Sequence, residues 1–330
     1  MNGIKPTLIT PGDPSGIGPE IALRAWSEGN KNVVLMGNIE HLSSIAHDSG
    51  LRVNFTSFNP EKDLSNKTCS IWEIDWQIMP KAGQPDPQNS SVIVNAIEQA
   101  VKQVKQGQFS AVVTNPVAKS ILYEDGFEFP GHTEFLAALD SPNSFPVMML
   151  ANQSLRVVPL TIHIPLSDVE KTITSDLLKN TIHVLQTALR QYFACPFPRI
   201  AIAGLNPHAG EDGHMGRFES DKLIPLIQTQ EHLTASLLGP FSADSLFHAE
   251  KHASYDVVLC MYHDQALIPV KTIDFYQTVN ITLGLSFIRT SPDHGTAFDR
   301  AALFNSDPNS LISAIETAQQ MVAARLMSEE

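Results

Sequence analysis

His163, His208 and His263 each follow a run of apolar, β-branched residues, and this placement suits metal binding. Runs of this length, bounded by Pro, Gly or Asp, predict strands that are buried on both faces of a parallel sheet. Ligands collect outside the carboxyl ends of such strands. Three imidazoles with an open fourth position form a catalytic zinc site. The three histidines are therefore candidate metal ligands.

A plainer interpretation exists, because a histidine after a strand often serves as a loop residue that caps a backbone carbonyl. The spacings of 45 and 55 residues match no local zinc motif, so the metal hypothesis depends on the strand ends. Polar neighbours in 206–211 and 262–265 favour a joint site. We interpret the histidines in other polar or helical contexts as solvated: His41, His47, His183, His214, His232, His248 and His252.

Composition and charge limit the function. The chain has 330 residues, of which 43% are hydrophobic and 17% charged, and its net charge is −13. This length suits two domains. An acidic chain without a Lys/Arg run is not expected to bind nucleic acid, because a phosphate backbone requires a basic face. A phosphorylated substrate would need a locally basic pocket, which makes single lysines and arginines candidate site residues.

Cysteine usage and hydropathy predict the compartment. Cys69, Cys195 and Cys260 are odd in number and widely spaced, which predicts free thiols in a reducing compartment. The amino terminus leads into a short predicted strand and lacks the apolar stretch of a signal peptide. No run approaches the roughly 18 apolar residues of a membrane span. We therefore expect a soluble cytoplasmic protein with no membrane partner.

Strand and helix patterns alternate from the start of the chain, which predicts an α/β layered fold. The first predicted strand leads into a helix through the glycine-rich turn 11–20, whose glycines are spaced G-x-x-x-G-x-G. This spacing differs from the Rossmann fingerprint G-x-G-x-x-G. The free N–H groups before Pro19 could attract an anion. By itself, however, the turn is better interpreted as a tight connection without a ligand.

Two motifs at opposite ends of the chain resemble a known fold family. Residues 11–20 resemble the glycine-rich opening of the isocitrate and isopropylmalate dehydrogenases. Residues 293–299, which read Asp-His-Gly-Thr-Ala-Phe-Asp, resemble the loop with which those enzymes hold the adenosine part of their nicotinamide cofactor. Four further segments (131–134, 206–211, 261–265 and 279–290) narrow the match. Together they resemble the 4-hydroxythreonine-4-phosphate dehydrogenase family of the vitamin B6 pathway, over nearly the whole chain.

The resemblance implies an architecture. We expect an α/β protein with two α/β/α domains and a cleft between them, as in isocitrate and isopropylmalate dehydrogenases. The first domain would comprise residues 1–128 and about 290–330, with the cofactor loop. The second would comprise about 129–289, with a chain crossing in 126–131, the metal-binding histidines and the dimer contacts. The family is a homodimer whose active site lies at the subunit interface.

The resemblance also implies site residues. The metal ligands would be His163, His208 and His263. Substrate binding falls to His132, Thr133, Lys271, Asn280 and Arg289. Cofactor binding falls to His294, Gly295, Thr296, Ala297 and Asp299. The candidate catalytic residues are Asp264, Asp244 and Lys271. Either aspartate is a candidate base, and Asp264 could instead orient the neighbouring histidine. Lys119 reaches cofactor or substrate, or is a plain lysine at the start of a helix.

The reaction implied by the resemblance suits these residues. NAD would oxidise the C3 hydroxyl of 4-phosphooxy-L-threonine, and the β-keto acid would lose CO₂ to leave 3-amino-2-oxopropyl phosphate. A Lewis-acid metal would lower the pKa of the hydroxyl. Imidazole ligands favour Zn²⁺ or Co²⁺ over Mg²⁺, which prefers oxygen. An arginine such as Arg289 can hold a phosphate or carboxylate with a bidentate fork.

The sequence departs from the family pattern in three places, and alternative functions stay open. Ser286 stands where proline is usual, residues 300–302 read Arg-Ala-Ala after the cofactor loop, and Ala118 precedes Lys119. These differences concern the cofactor contact. One alternative is a dehydrogenase of 4-phospho-D-threonate or 4-phospho-D-erythronate on the same scaffold. Another is a metal-dependent phosphohydrolase, and a non-catalytic phosphate- or metal-binding protein is a third.

Overall fold

The computed structural model describes residues 4–124, 127–129, 131–229 and 234–329. Its contacts divide the chain into two compact units, Met1–Ser144 with Leu285–Ala323 and Phe145–Gly284 with Ala324–Glu330. The sequence analysis predicts that the chain crosses from one domain to the other near residues 129 and 289. Within the predicted crossing 126–131, Gly126 and Pro130 lie outside the described residues.

The first unit contains a six-stranded parallel sheet in the order β3-β4-β2-β1-β5-β12. Its strands are β1 (Thr7–Thr10), β2 (Val33–Gly37), β3 (Phe55–Ser57), β4 (Cys69–Glu73), β5 (Ala111–Thr114) and β12 (Arg289–Pro292). Its helices are α1 (Gly18–Ser27), α2 (Ile39–Asp48), α3 (Ser90–Lys105), α4 (Lys119–Glu124), α5 (His132–Asp140) and α11 (Phe298–Ala301). Helix α12 (Asn309–Glu329) ends the chain and continues into the second unit.

One apolar cluster explains why α5 belongs to the first unit. Helix α3 buries one face, which includes Ile97 and Val101, against β1 and β5. Phe135 and Leu136 of α5 pack into the same cluster. Burial of such side chains stabilises the unit by roughly 1.5–3 kcal/mol each. The chain therefore leaves this unit after α5, at Ser144.

The second unit contains a mixed sheet in the order β11-β6-β7-β10-β8-β9. Its strands are β6 (Val147–Ala151), β7 (Arg156–Thr161), β8 (Arg199–Ala203), β9 (Ser236–Phe241), β10 (Val257–Tyr262) and β11 (Val279–Leu283). Its helices are α6 (Val169–Thr172), α7 (Ser175–Tyr192), α8 (Ile224–Gln228), α9 (Ala249–His252) and α10 (His263–Ile273). β7, β10, β8 and β9 run parallel, and β6 is antiparallel to both β7 and β11.

These elements confirm the predicted α/β class and the three buried strands before the histidines. One expectation about the other histidines is wrong. His41 is only 6% exposed, since it lies on the inner face of α2, where its ring is perpendicular to that of Trp76. His232 lies outside the described residues. All three cysteines are free thiols, as predicted. Among the described helices, none combines the length and the apolar character that a membrane crossing needs.

Candidate functional site

A buried arginine lies at the centre of the candidate site in the first unit. Arg289 begins β12, beside the parallel strand β5 that ends at Thr114. The arginine is 3% exposed, and its Nε and Nη2 donate to Thr114 Oγ1 at 3.1 and 2.6 Å. Burial lowers the pKa of Arg289 to about 10, so the guanidinium stays charged at neutral pH. A buried cation is costly unless an anion or hydrogen bonds accompany it.

His132 supplies an unused polar atom next to this arginine. It begins α5 after an extended Gly131, and its Nε2 is buried without a hydrogen-bond partner among the described residues. Burial foremost, together with the charges of Arg289 and Lys119, lowers the pKa of His132 to about 3. The imidazole is therefore neutral at physiological pH. A buried polar atom without a partner is rare in native proteins and often marks a ligand position.

Lys119 lies close to the same helix start. A Cβ added to Gly131 would lie 3.2 Å from Lys119 Nζ and 3.0 Å from Glu134 Oε2, so glycine allows both charged groups to approach. The first unit therefore brings together Arg289, Lys119 and the neutral His132. Two cations around a neutral imidazole can bind a phosphate or a carboxylate. Thr133, the other predicted substrate residue here, is half-buried on α5.

The predicted cofactor loop contacts the glycine-rich turn. Ile17 N donates to Thr296 O at 3.0 Å, and a Cβ added to Gly16 would lie 2.7 Å from that oxygen. Only a glycine permits this approach. Ala297 adopts a left-handed conformation, with φ of 45°. Gly295 is exposed with open space where a side chain would lie, so a ligand can approach its backbone.

Two other loop residues differ in exposure. His294 Nδ1 lies 3.0 Å from Gly295 O, and its Nε2 is buried without a hydrogen-bond partner among the described residues. Asp299 is exposed at the start of α11.

The neighbouring glycine-rich turn contains a buried carboxyl group that the sequence did not predict. Asp13 is 2% exposed, and burial raises its pKa to about 6, although the hydrogen bond from Ser15 N opposes this shift.

In the second unit, the three candidate metal ligands follow adjacent parallel strands. β7, β10 and β8 are neighbours in the sheet and end at the same edge. The ring centroids of His163 and His263 are 5.8 Å apart. His263 Nδ1 lies 2.7 Å from Asp264 Oδ1, which leaves Nε2 as the ligating atom. A carboxylate on the second ring nitrogen is the usual way to orient a histidine that binds metal.

His208 is held by an unusual backbone. Residues 208–212 all have positive φ, between 42° and 81°, and only Gly210 among them is a glycine. Each non-glycine residue in this conformation costs roughly 1–3 kcal/mol, and such strain clusters at functional sites. Asp244, a candidate base, is exposed. The pKa of Asp244 is lowered. The main cause is the hydrogen bond from the Ser242 hydroxyl, and the charge of His208 lowers it as well.

The donor set fits zinc or cobalt in type, because all three ligands are imidazoles. Their strands bring them to one edge, although no group of three His, Cys, Asp or Glu side chains is already arranged to hold a metal within 4–124, 127–129, 131–229 and 234–329. Metal binding at His163, His208 and His263 therefore stays a prediction.

Two further candidate residues lie in the second unit. Asn280, on β11, has a buried Oδ1 without a hydrogen-bond partner among the described residues, as expected of a group that awaits a donor. Lys271 lies in the last turn of α10, with its Nζ 5.5 Å from the ring centroid of Phe275.

Thr114, the partner of Arg289 in the first unit, was not predicted from the sequence. Its only signal was its position at the carboxyl end of a strand.

Comparison with known proteins identifies relatives over almost the full length. The model of the family described as "Pyridoxal phosphate biosynthetic protein PdxA" matches residues 29–318. The 4-hydroxythreonine-4-phosphate dehydrogenase of Bradyrhizobium diazoefficiens is 41% identical, over 97% of this chain and 98% of its own. The enzyme of that name from a Ruegeria species is 45% identical, over 95% and 96%. The crystal structure of the Klebsiella pneumoniae enzyme has a TM-score of 0.88 and 34% identity, over 96% and 99%.

Proposed function

Because the chain belongs to the family of the pyridoxal phosphate biosynthetic protein PdxA, we propose that it oxidises 4-phosphooxy-L-threonine at C3. The relatives named 4-hydroxythreonine-4-phosphate dehydrogenase make the chain an oxidoreductase of pyridoxine biosynthesis. In our proposal NAD accepts the hydride, and the β-keto acid loses CO₂ to give 3-amino-2-oxopropyl phosphate. The observation that carries the proposal is the buried Arg289 beside a neutral His132 whose Nε2 has no partner among the described residues.

This pair suits an anionic substrate in a chain of net charge −13. Long-range attraction does not help such a chain, so binding relies on cations placed at the site. Arg289 would hold a phosphate or carboxylate oxygen, and Lys119 would add charge on the side of Gly131. The neutral His132 would donate from Nε2 to the same anion, or accept from a substrate hydroxyl. Asn280 and Lys271 would bind further polar groups of the substrate.

The imidazoles of His163, His208 and His263 are proposed to hold a divalent metal, Zn²⁺ or Co²⁺ by donor type. A metal bound there would act as a Lewis acid that lowers the pKa of a substrate hydroxyl. Asp264 would hold the Nδ1 proton of His263 and so fix the tautomer and the ring orientation. This contact favours an orienting role for Asp264. Asp244 stays the candidate proton acceptor, and its lowered pKa keeps it ionised.

For the cofactor, we propose that residues 294–297 and Asp299 bind NAD. Gly295 and Thr296 would offer backbone groups, since Gly295 is open and Thr296 is tied to the glycine-rich turn. His294 would donate from its unsatisfied Nε2. Asp299 would accept from a ribose hydroxyl.

The proposal is tested by NADH formation from three substrates with the zinc- or cobalt-loaded protein. The substrates are 4-phosphooxy-L-threonine, 4-phospho-D-threonate and 4-phospho-D-erythronate, and inorganic phosphate is measured in parallel. We expect NADH and CO₂ from the first substrate. Turnover of only the phospho-sugar acids would reassign the substrate. Phosphate release without NADH would identify a hydrolase.

We also propose a homodimer with its active site at the subunit interface. Light scattering gives the mass in solution, and mixing two inactive variants tests the shared site. Arg289→Ala and His208→Asn should regain activity after co-refolding if each site takes Arg289 from one subunit and His208 from the other. Two variants that stay inactive together would contradict that division of the site between subunits.

A further inference from the structure

Glu219 is a buried carboxylate for which the proposed chemistry has no use. It is 1% exposed and begins a π-helical turn, Glu219–Leu223, in the second unit. No ion pair joins it to a Lys, Arg or His of the described residues. Its Oε1 accepts from Asn206 N at 2.8 Å, and its Oε2 accepts from Asn206 Nδ2 at 3.0 Å. Burial of a carboxylate without an ion pair costs free energy, which suggests that the group has a function that offsets this cost.

Three glycines allow the backbone to pack closely around this carboxylate. A Cβ added to Gly210 would lie 2.7 Å from Glu219 Oε2, and one added to Gly216 would lie 2.5 Å from Asn206 Nδ2. A Cβ added to Gly204 would lie 2.8 Å from the Cα of Ala209. Glu219 therefore lies against the inside of the strained segment 208–212. Asn206, which it holds at two atoms, is the residue from which that segment departs.

We propose that the buried carboxylate of Glu219 is a positioning group, which clamps Asn206 and the left-handed turn 208–212 so that His208 is presented at the end of β8. The inference rests on the proposed metal-binding role of His208. Backbone hydrogen bonds at the two ends of the strained turn, among them Ala209 N to Asn206 O at 3.1 Å and Met215 N to Gly210 O at 3.0 Å, act together with the two bonds to the carboxylate. Charge-assisted hydrogen bonds are the stronger kind and offset such strain. π-helical turns are frequent at functional sites.

The chemistry of the carboxylate makes the role specific. An ionised carboxylate only accepts hydrogen bonds, so it orients the Asn206 amide with its NH₂ towards Glu219. In Glu219→Gln the side chain keeps one acceptor for Asn206 N. Its own NH₂ then faces the NH₂ of Asn206, and one contact is lost. In the double variant Asn206→Asp/Glu219→Gln, the new amide donates to the new carboxylate, so the lost side-chain contact returns with reversed polarity while the backbone N–H of residue 206 keeps its acceptor.

The test uses the full-length protein and two measurements. Hydrogen exchange of residues 206–216 in the metal-free protein reports on the turn without any metal. Competition with a chromophoric zinc chelator reports on the affinity for Zn²⁺. Asp221→Asn is the matched control, because it removes an exposed acid of the same turn whose side-chain partners, Arg217 and Ser220, are also exposed.

We expect Glu219→Gln to speed exchange in 206–216 and to weaken zinc binding about 10–100-fold, the usual effect of losing a partner behind a ligand. Asp221→Asn should behave as wild type, and the double variant should restore both readouts. The proposal would be overturned if residues 206–216 of Glu219→Gln exchanged hydrogen at the wild-type rate. It would also be overturned if their exchange were faster but the affinity for Zn²⁺ were that of wild type. If wild type and His208→Asn bind zinc equally, the metal site fails instead, and the exchange measurement alone decides whether Glu219 clamps the turn.

Discussion

Arg289 donates two hydrogen bonds to a single oxygen of Thr114, from Nε at 3.1 Å and from Nη2 at 2.6 Å. Both residues are buried, at the start of β12 and at the end of β5. A guanidinium carries five N–H groups in one plane. Thr114 therefore fixes the plane of the Arg289 guanidinium, and this sets the directions of the remaining N–H donors of that group.

Arg289→Lys should raise KM for the phosphorylated substrate about tenfold to a hundredfold, because a charge-assisted hydrogen bond contributes roughly 1.5–3 kcal/mol. The charge survives, but the planar fork is lost. Steady-state kinetics measure the effect, with the exposed Arg52→Lys as the control. Thr114→Val should raise KM in the same direction, and Thr114→Ser, which keeps the hydroxyl, should not. An unchanged KM in Arg289→Lys would show that the substrate anion binds elsewhere.

Removal of any proposed ligand histidine should abolish stoichiometric metal binding with little loss of fold. His163→Asn and His208→Asn suit their positive φ values, since asparagine tolerates that conformation. His263→Ala removes the third imidazole. Metal content after dialysis and the thermal midpoint of the apoprotein give the two readouts. The exposed His183→Asn is the control, and a ligand variant with full metal content would remove that residue from the site.

Asp13 should make the protein less stable at neutral pH than at mildly acidic pH. Burial raises its folded pKa from 3.8 to about 6, so the folded state binds more protons than the unfolded state between these values. The free energy of unfolding therefore falls as pH rises through this window. Asp13→Asn should remove this slope and gain up to about 3 kcal/mol at pH 7.5, at about 1.4 kcal/mol per pKa unit.

Urea unfolding of wild type and Asp13→Asn at pH 5 and pH 7.5 measures this slope. Asp63→Asn, at an exposed position of the same unit, should leave it unchanged. Equal slopes in wild type and Asp13→Asn would contradict the raised pKa.

Asn280→Leu should stabilise the free protein while impairing catalysis. The Oδ1 of Asn280 is buried without a hydrogen-bond partner among the described residues, and such an atom costs about 1–3 kcal/mol. An apolar side chain of similar size removes that cost, and it also removes the acceptor that the substrate would use. Thermal unfolding and KM measured on one preparation test both halves. A lower thermal midpoint would mean that the amide supports the fold rather than the ligand.

The sequence determined the α/β class and the strand ends by itself, because burial on both faces and alternation with amphipathic helices are local patterns. It also predicted that His163, His208 and His263 follow strands. The adjacency of β7, β10 and β8 depends on pairings between segments about 100 residues apart (β10 with β7) and about 60 residues apart (β10 with β8), which no local pattern encodes.

Only the tertiary structure decided which polar groups are buried. His41 lies in a helical context like those of exposed histidines, but its face of α2 packs inwards. Thr114 and Glu219 carry no motif of their own, and their roles arise from partners 175 and 13 residues away. The pKa of Asp13 is raised by burial, which is set by the packing of the whole unit. Desolvation and long-range hydrogen bonds are properties of the folded chain, so they became visible only with the fold.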